Sequence, residues 1–422
     1  MSSGGVARPI VAAVTVALAY VAGRAARMPR VSAAAGLLSI CAASLAPHAP
    51  RAAAEGIVIQ GRFDTATEHV LIPVTLDGHR FWCNPDSGFS ALVAVDKSKA
   101  AAAGLTAAPG IPTPDGNPPA PSDNSATTTM VVGGVTFANQ SIILRRFPEE
   151  APDMDCVMGV ALLRRFVVEF DHITPKLVLH NREAYQPQEG AATVPLAFRT
   201  NPTVPYVDIQ VTIRDGTQLP LRVIPDTGAS FYAAVLVGRA MTQAQSELPS
   251  VAAVTYPDPQ TGRITQLRAA RPRAISVGSF TVNDPVVAFI QGSLGADGAI
   301  ADGALGSGFL RRFTVAFDFE ARKMYLRPNE RLAQAHAFDA SGVAFILRNG
   351  RHVVYEVIPE SVAAKAEVRA GDVLIEIDGR PANDLTPLQL RTLLTADGVT
   401  RRLVLERDGR TLTIVLQLKA RL

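Results

Sequence analysis

Two short stretches of the chain hold the residue types that acid–base chemistry needs. Ile224-Pro225-Asp226-Thr227-Gly228-Ala229-Ser230 has a counterpart upstream in Asn84-Pro85-Asp86-Ser87-Gly88-Phe89-Ser90. In both, an Asp is followed by a hydroxyl residue and a Gly. This order holds a carboxylate at the tip of a tight turn, because Gly lets the backbone turn sharply and approach a neighbour closely. The hydroxyls of Ser87 and Thr227 are suited to bonding across to the opposite loop. Two carboxylates about 3 Å apart cannot both ionise, so one pKa falls, the other rises, and the pair titrates as a unit. One member then takes a proton from water while the other donates to the carbonyl oxygen of a scissile peptide. A lone Asp-Thr-Gly reads as a plain β-turn; the case for a site rests on there being two.

Other chemistries lack their patterns. The seven His are scattered without metal-ligand spacing, so no metal is expected, and no cofactor motif is present. No Gly-x-Ser-x-Gly elbow occurs, and the Gly-rich run at 303–308 lacks the phosphate-loop pattern. Asp297 and Asp302, with their Gly neighbours, read as a turn-rich loop rather than a calcium site. Lys and Arg exceed Asp and Glu by 41 − 38 = 3. Residues 1–54 carry Arg8, Arg24, Arg27, Arg30 and Arg51 and no acid, so the remainder is near −2. No basic surface is left to argue for a nucleic-acid partner.

The elements that must carry the two Asp turns form an internal repeat. Val157-Met158-Gly159 precedes Leu163-Arg164-Arg165-Phe166-Val167-Val168-Glu169-Phe170-Asp171. Ala304-Leu305-Gly306 precedes Leu310-Arg311-Arg312-Phe313-Thr314-Val315-Ala316-Phe317-Asp318, at a constant offset of 147, and the two Asp turns are 140 apart. The copies span 55–187 and 188–330. Within them the elements are short, alternating and rich in β-branched residues, with Asp-Gly turn signals after 70–76 and 206–213. Helical periodicity is confined to 97–103 and 236–244. Long loops are expected at 107–125, dense in Pro, Gly and Ser, and at 251–266, where flanking β-formers are compatible with a hairpin.

The ends differ in character. Residues 1–54 form a leader that reads as an export signal, with a short positive start at Met28-Pro29-Arg30, an apolar run and small residues before 55. A second apolar run at 10–23 is shorter than the ~20 residues a membrane span needs, and a membrane-anchored N-terminus is the alternative to cleavage. Residues 331–341 read as a linker, and 342–422 as a smaller unit of strands and short helices. Outside the leader lie two Cys, Cys83 and Cys156. An even pair in an exported chain is compatible with a disulfide, and equally with two buried thiols.

Taken together, Asp86-Ser87-Gly88 with Val157-Met158-Gly159, and Asp226-Thr227-Gly228 with Ala304-Leu305-Gly306, resemble the retropepsin-like aspartic proteases over about 270 residues. That family pairs each Asp loop with a hydrophobic-hydrophobic-Gly segment packed beneath it. The resemblance implies a mainly β fold of two retropepsin-like lobes about a pseudo-twofold axis, in a pepsin-like monomer. It implies Asp86 and Asp226 as the catalytic pair, supported by Ser87, Gly88, Thr227 and Gly228. Copy one departs from the pattern at Asn84 and Phe89, and Pro precedes both Asp residues. The family topology also runs the strand before the Asp beside the one carrying the apolar-apolar-Gly, which implies that Cys83 and Cys156 lie close enough to bridge.

The C-terminal unit, through 363–372 and Ile375-Glu376-Ile377-Asp378-Gly379, resembles a PDZ domain (α+β). The resemblance implies that Gly342, Val343, Ala344 and Phe345 form a loop that captures a peptide C-terminus. The expected function is an exported, periplasmic or secreted aspartic endopeptidase acting on peptide or protein substrates, with the PDZ module recruiting or gating them. The alternative is a non-catalytic peptide-binding protein that keeps the fold.

Overall fold

The computed structural model describes residues 56–106, 128–147, 151–198, 204–229, 231–254, 267–290 and 301–422. The expected export signal at 1–54, the loop expected at 107–125, residues 255–266 of the loop expected at 251–266, and Asp297 lie outside them.

Each repeat copy builds a sheet in the same way. In the first, Val70–Leu76 and His79–Pro85 pair antiparallel around Asp77 and Gly78, both at positive φ, as a two-residue hairpin turn requires. The alternating burial of Val70–Leu76 puts Ile72, Val74 and Leu76 into the core. His79–Pro85 then runs parallel to Cys156–Met158, with Cys83 opposite Cys156 and Pro85 opposite Met158. Cys156–Met158 also pairs antiparallel with Val93–Asp96. In the second copy Gln218–Pro225 pairs antiparallel with Val207–Thr212 and parallel with Gly303–Leu305, with Pro225 opposite Leu305. Gly303–Leu305 in turn pairs antiparallel with Ala234–Val237. Proline closes both Asp-bearing strands at the point where the next residue takes over the ladder: Asp86 N–H donates to Met158 O at 2.8 Å and Asp226 N–H to Leu305 O at 2.9 Å.

A third sheet joins the copies. Val167–Asp171 and Phe313–Asp318, the matched blocks of the repeat, lie side by side antiparallel, with Phe170 packed edge-on to Phe317 at 5.8 Å. One continuous apolar core takes residues from both copies.

The expected helices occur at Lys97–Ala102, capped by Asp96, and at Gly238–Glu247. The second begins later than its periodicity indicated. Leu236 and Val237 belong instead to the fully buried strand Ala234–Val237, which is paired on both edges, and tertiary pairing overrides the helical pattern there. Ser250–Ala253 and Leu267–Ala270 are antiparallel arms of the second long loop.

The C-terminal unit has its own core. Its sheet runs in the order Val343–Arg348, Arg351–Val357, Val373–Ile377, Thr400–Arg407, Arg410–Gln417. The helix Pro387–Leu393, started by a Thr386–Gln389 capping box, lies against the edge strand Val343–Arg348. The segment expected to be a linker is not a loose tether. The Arg312 guanidinium donates to the carbonyls of Arg331, Leu332 and Gln334, and His336 is buried against the second copy. Among the described residues no helix is long and apolar enough to cross a membrane.

Candidate active site

The two Asp turns meet and interlock. Ser87 N–H donates to Thr227 Oγ1 at 3.0 Å, and Thr227 N–H to Ser87 Oγ at 3.1 Å. Each hydroxyl then donates onward to the carbonyl before the opposite Asp, Ser87 Oγ to Pro225 O at 2.7 Å and Thr227 Oγ1 to Pro85 O at 2.9 Å. A hydroxyl has one proton and two lone pairs, and here each proton and one acceptor site are spent on the partner loop. The glycines are required by contact. A Cβ on Gly88 would stand 2.5 Å from Asp226 Cγ, and one on Gly228 would meet Asp86 Oδ2 closer still. Each loop therefore lays its bare Cα against the other loop's carboxylate.

Both carboxylates are buried, Asp86 at 1% exposure and Asp226 at 0%. Asp86 Oδ1 accepts from Gly88 N–H at 2.7 Å and Phe89 N–H at 3.1 Å, while Asp226 Oδ1 accepts from Gly228 N–H at 2.9 Å. Burial pushes Asp86 up to about 6, with the N–H groups of Gly88 and Phe89 and the Asp226 carboxyl holding it back. Burial and then the Asp86 charge push Asp226 further above the carboxylate range. This corrects the expected split in which one pKa falls. Desolvation raises both, and the pair differs in how far.

The departures in copy one leave the turn intact. Phe89 is buried, but its ring turns away into a small cluster with Leu71, Ala94, Met154 and Val157. Its backbone does what Ala229 does in copy two: Val160 N–H donates to Phe89 O at 2.7 Å, and Ser307 N–H to Ala229 O at 3.1 Å. Gly159 and Gly306 let these segments pass under the loops, since a Cβ on either would strike a backbone oxygen there. The Asn84 amide donates to Val70 O, tying the Asp strand to its neighbour. Cys83 and Cys156 form a disulfide with Cα atoms 4.3 Å apart, across the parallel pair that ends at Asp86. Val223 and Gly303 occupy the same register in copy two.

Sequence reasoning missed a second repeated pair. Asp155 accepts Trp82 N–H at 2.9 Å, and Asp302 accepts Arg222 N–H at 2.9 Å. Each fixes the register of an Asp-bearing strand against its apolar-apolar-Gly partner. The signal was available, because Asp155 and Asp302 stand at the same 147-residue offset as the rest of the block.

The loop expected to capture a peptide carboxylate is partly committed already. Gly342 N–H donates to Asp339, whose carboxylate is paired with Arg421, and Val343 N–H donates to Ser341 Oγ at 3.1 Å. Ala344 and Phe345 continue into the edge strand. A peptide added to that edge would lie between it and the helix Pro387–Leu393.

The fold and site thus define a mainly β protein with a buried pair of Asp loops and a C-terminal PDZ domain. The PDZ domain family profile matches residues 353–407. Among curated proteins the chain is 34% identical over 91 residues to the periplasmic serine endoprotease DegP of Salmonella typhimurium, covering 22% of this chain and 18% of that protein. It is 38% identical over 65 residues to the periplasmic pH-dependent serine endoprotease DegQ of Escherichia coli, covering 15% and 14%. The chain spans less than a fifth of the length of these relatives. A solved structure, an aspartic proteinase from Irpex lacteus, aligns with a TM-score of 0.40 at 13% identity, covering 66% of this chain and 99% of that one.

Proposed function

We propose that the chain is an exported aspartic endopeptidase, with two lobes at 55–187 and 188–330 related by a pseudo-twofold axis and a PDZ module at 342–422 that binds peptides. The observation that carries the reading is the reciprocal Ser87–Thr227 lock, which buries Asp86 and Asp226 against each other's glycines. In the one-proton state Asp86 is the ionised base that takes a proton from a water. Asp226 is the acid that donates to the scissile carbonyl as the water attacks. With Asp86 raised to about 6, this state is populated above that pH and is lost to double protonation below it.

The serine mechanism in the relatives' names does not extend to this site. Ser87 Oγ, on the Asp86 loop, is committed to Pro225 O, and among the described residues no His ring is hydrogen-bonded to a serine hydroxyl. The relatives' names support a peptide-cleaving, periplasmic setting for the PDZ module, and peptide or protein substrates follow from it. A single chain supplying both Asp loops supports a monomer.

The test is cleavage of a peptide library by the mature protein and by Asp86→Asn and Asp226→Asn, from pH 3 to 8, with a serine-protease inhibitor as a further arm. Equal loss in both variants and indifference to the inhibitor support the dyad. No cleavage by the unsubstituted protein at any pH would leave a non-catalytic peptide-binding protein that keeps the fold.

A further inference from the structure

The PDZ unit does not hang free of the Asp loops. We propose that Arg391, on the PDZ helix Pro387–Leu393, is a positioning residue for the Asp226 loop, acting through Phe231. The inference rests on the reading of Asp226 as part of a catalytic pair.

Phe231 lies five residues after Asp226 and adopts φ +36°. For a bulky residue that backbone is strained, and it persists only where neighbours over-determine it. Three neighbours do so. The Arg391 guanidinium stacks over the Phe231 ring, with its carbon 3.4 Å from the centroid. His336 Nε2 lies 2.9 Å from Phe231 O. The same carbonyl packs on Gly308, where a Cβ would collide with it. His336 Nδ1 accepts Val286 N–H at 3.2 Å, so in the neutral ring Nε2 carries the proton and donates to Phe231 O. Burial pushes His336 down to about 3, which keeps that tautomer through the neutral range.

The same helix holds the first copy. Leu388 N–H, a first-turn donor with no acceptor in its own helix, donates to Thr65 O at 3.0 Å. Thr65 is fixed in turn through its N–H to Asp153. One PDZ helix therefore spans both halves of the body, touching copy one at Thr65 and the Asp226 loop at Phe231. The helix also faces the edge strand to which a peptide would add. The PDZ unit acts as part of the support of the site, not only as a recruiting arm.

The test uses the full mature chain with Arg391→Ala, Arg391→Lys and Phe231→Leu. Amide exchange of residues 231–237 is read alongside kcat and KM on a short peptide. The cation–π contact joins two half-buried side chains, so Arg391→Ala is expected to cut kcat about fivefold, with KM within about twofold. Exchange at 231–237 should speed up, Arg391→Lys should restore part of both effects, and Phe231→Leu should match Arg391→Ala. Unchanged exchange and kcat in Arg391→Ala, with the PDZ unit still folded by its own exchange protection, would overturn the brace. If the unsubstituted chain cleaves nothing, the catalytic reading fails, and the exchange arm still decides whether Arg391 holds the loop.

Discussion

Replacing Asp86 with Asn is expected to stabilise the folded protein at neutral pH while abolishing cleavage. Asp86 is buried, and its carboxyl is raised from 3.8 to about 6. The native state therefore holds a proton that the unfolded chain has released between those values. Stability from this group is greatest below pH 3.8 and is lost as pH rises to about 6, after which the loss is constant. The rise corresponds to about 3 kcal/mol. Asn removes the ionisation and keeps an oxygen for the Gly88 and Phe89 N–H groups. The variant should therefore equal the parent near pH 4 and exceed it by about 3 kcal/mol at pH 7.5. Relief of the Asp86 charge on Asp226 adds to the gain. The assay is urea unfolding at both pH values, followed by the fluorescence of Trp82, the only Trp, which sits on the Asp86 strand. A variant no more stable than the parent at pH 7.5, or a difference that does not change with pH, would refute the reasoning.

Four further outcomes follow from the structure. Gly88→Ala and Gly228→Ala should each lower cleavage by at least about 100-fold, because a misplaced reacting group costs that much. Gly134→Ala, at φ +82° with open space around it, should cost about 1 kcal/mol of stability and leave kcat unchanged. Replacing Cys83 and Cys156 by Ala opens a loop closed over 73 residues and should destabilise the first copy by about 4 kcal/mol, read by Trp82 in urea. His172 is buried with no partner for Nε2, and burial pushes it down to about 3, so its contribution is lost as pH falls from 6.5 toward 3. His172→Phe should therefore raise stability at pH 4 by about 3 kcal/mol and change little at pH 8, measured by thermal unfolding.

Much of this site could be read from the chain because its parts repeat. The offset of 147 residues paired Val157-Met158-Gly159 with Ala304-Leu305-Gly306, and the hairpin turn at Asp77-Gly78 was plain in the residues. The same offset held Asp155 and Asp302, but their role in strand register appears only once Trp82 and Arg222 are seen opposite them. Phe89 looked disruptive in the sequence because residue type alone does not tell which way a side chain turns; its ring leaves the loop for a separate cluster. The direction of the Asp86 shift was also hidden. A pair of carboxylates splits in water, but near-complete burial of both raises both. The PDZ contact at Phe231 joins residues 160 apart in the chain with no shared pattern between them, and only packing brings Arg391 onto that ring.

The proposed chemistry depends on Asp86 and Asp226 sharing one proton at neutral pH. Difference infrared spectroscopy of the mature protein against Asp86→Asn and Asp226→Asn measures it most directly. A protonated-carboxyl band is expected at pH 7 in the unsubstituted protein, removed by Asp226→Asn and weakened or shifted by Asp86→Asn. No protonated carboxyl at pH 7, or a band that survives Asp226→Asn unchanged, would contradict it.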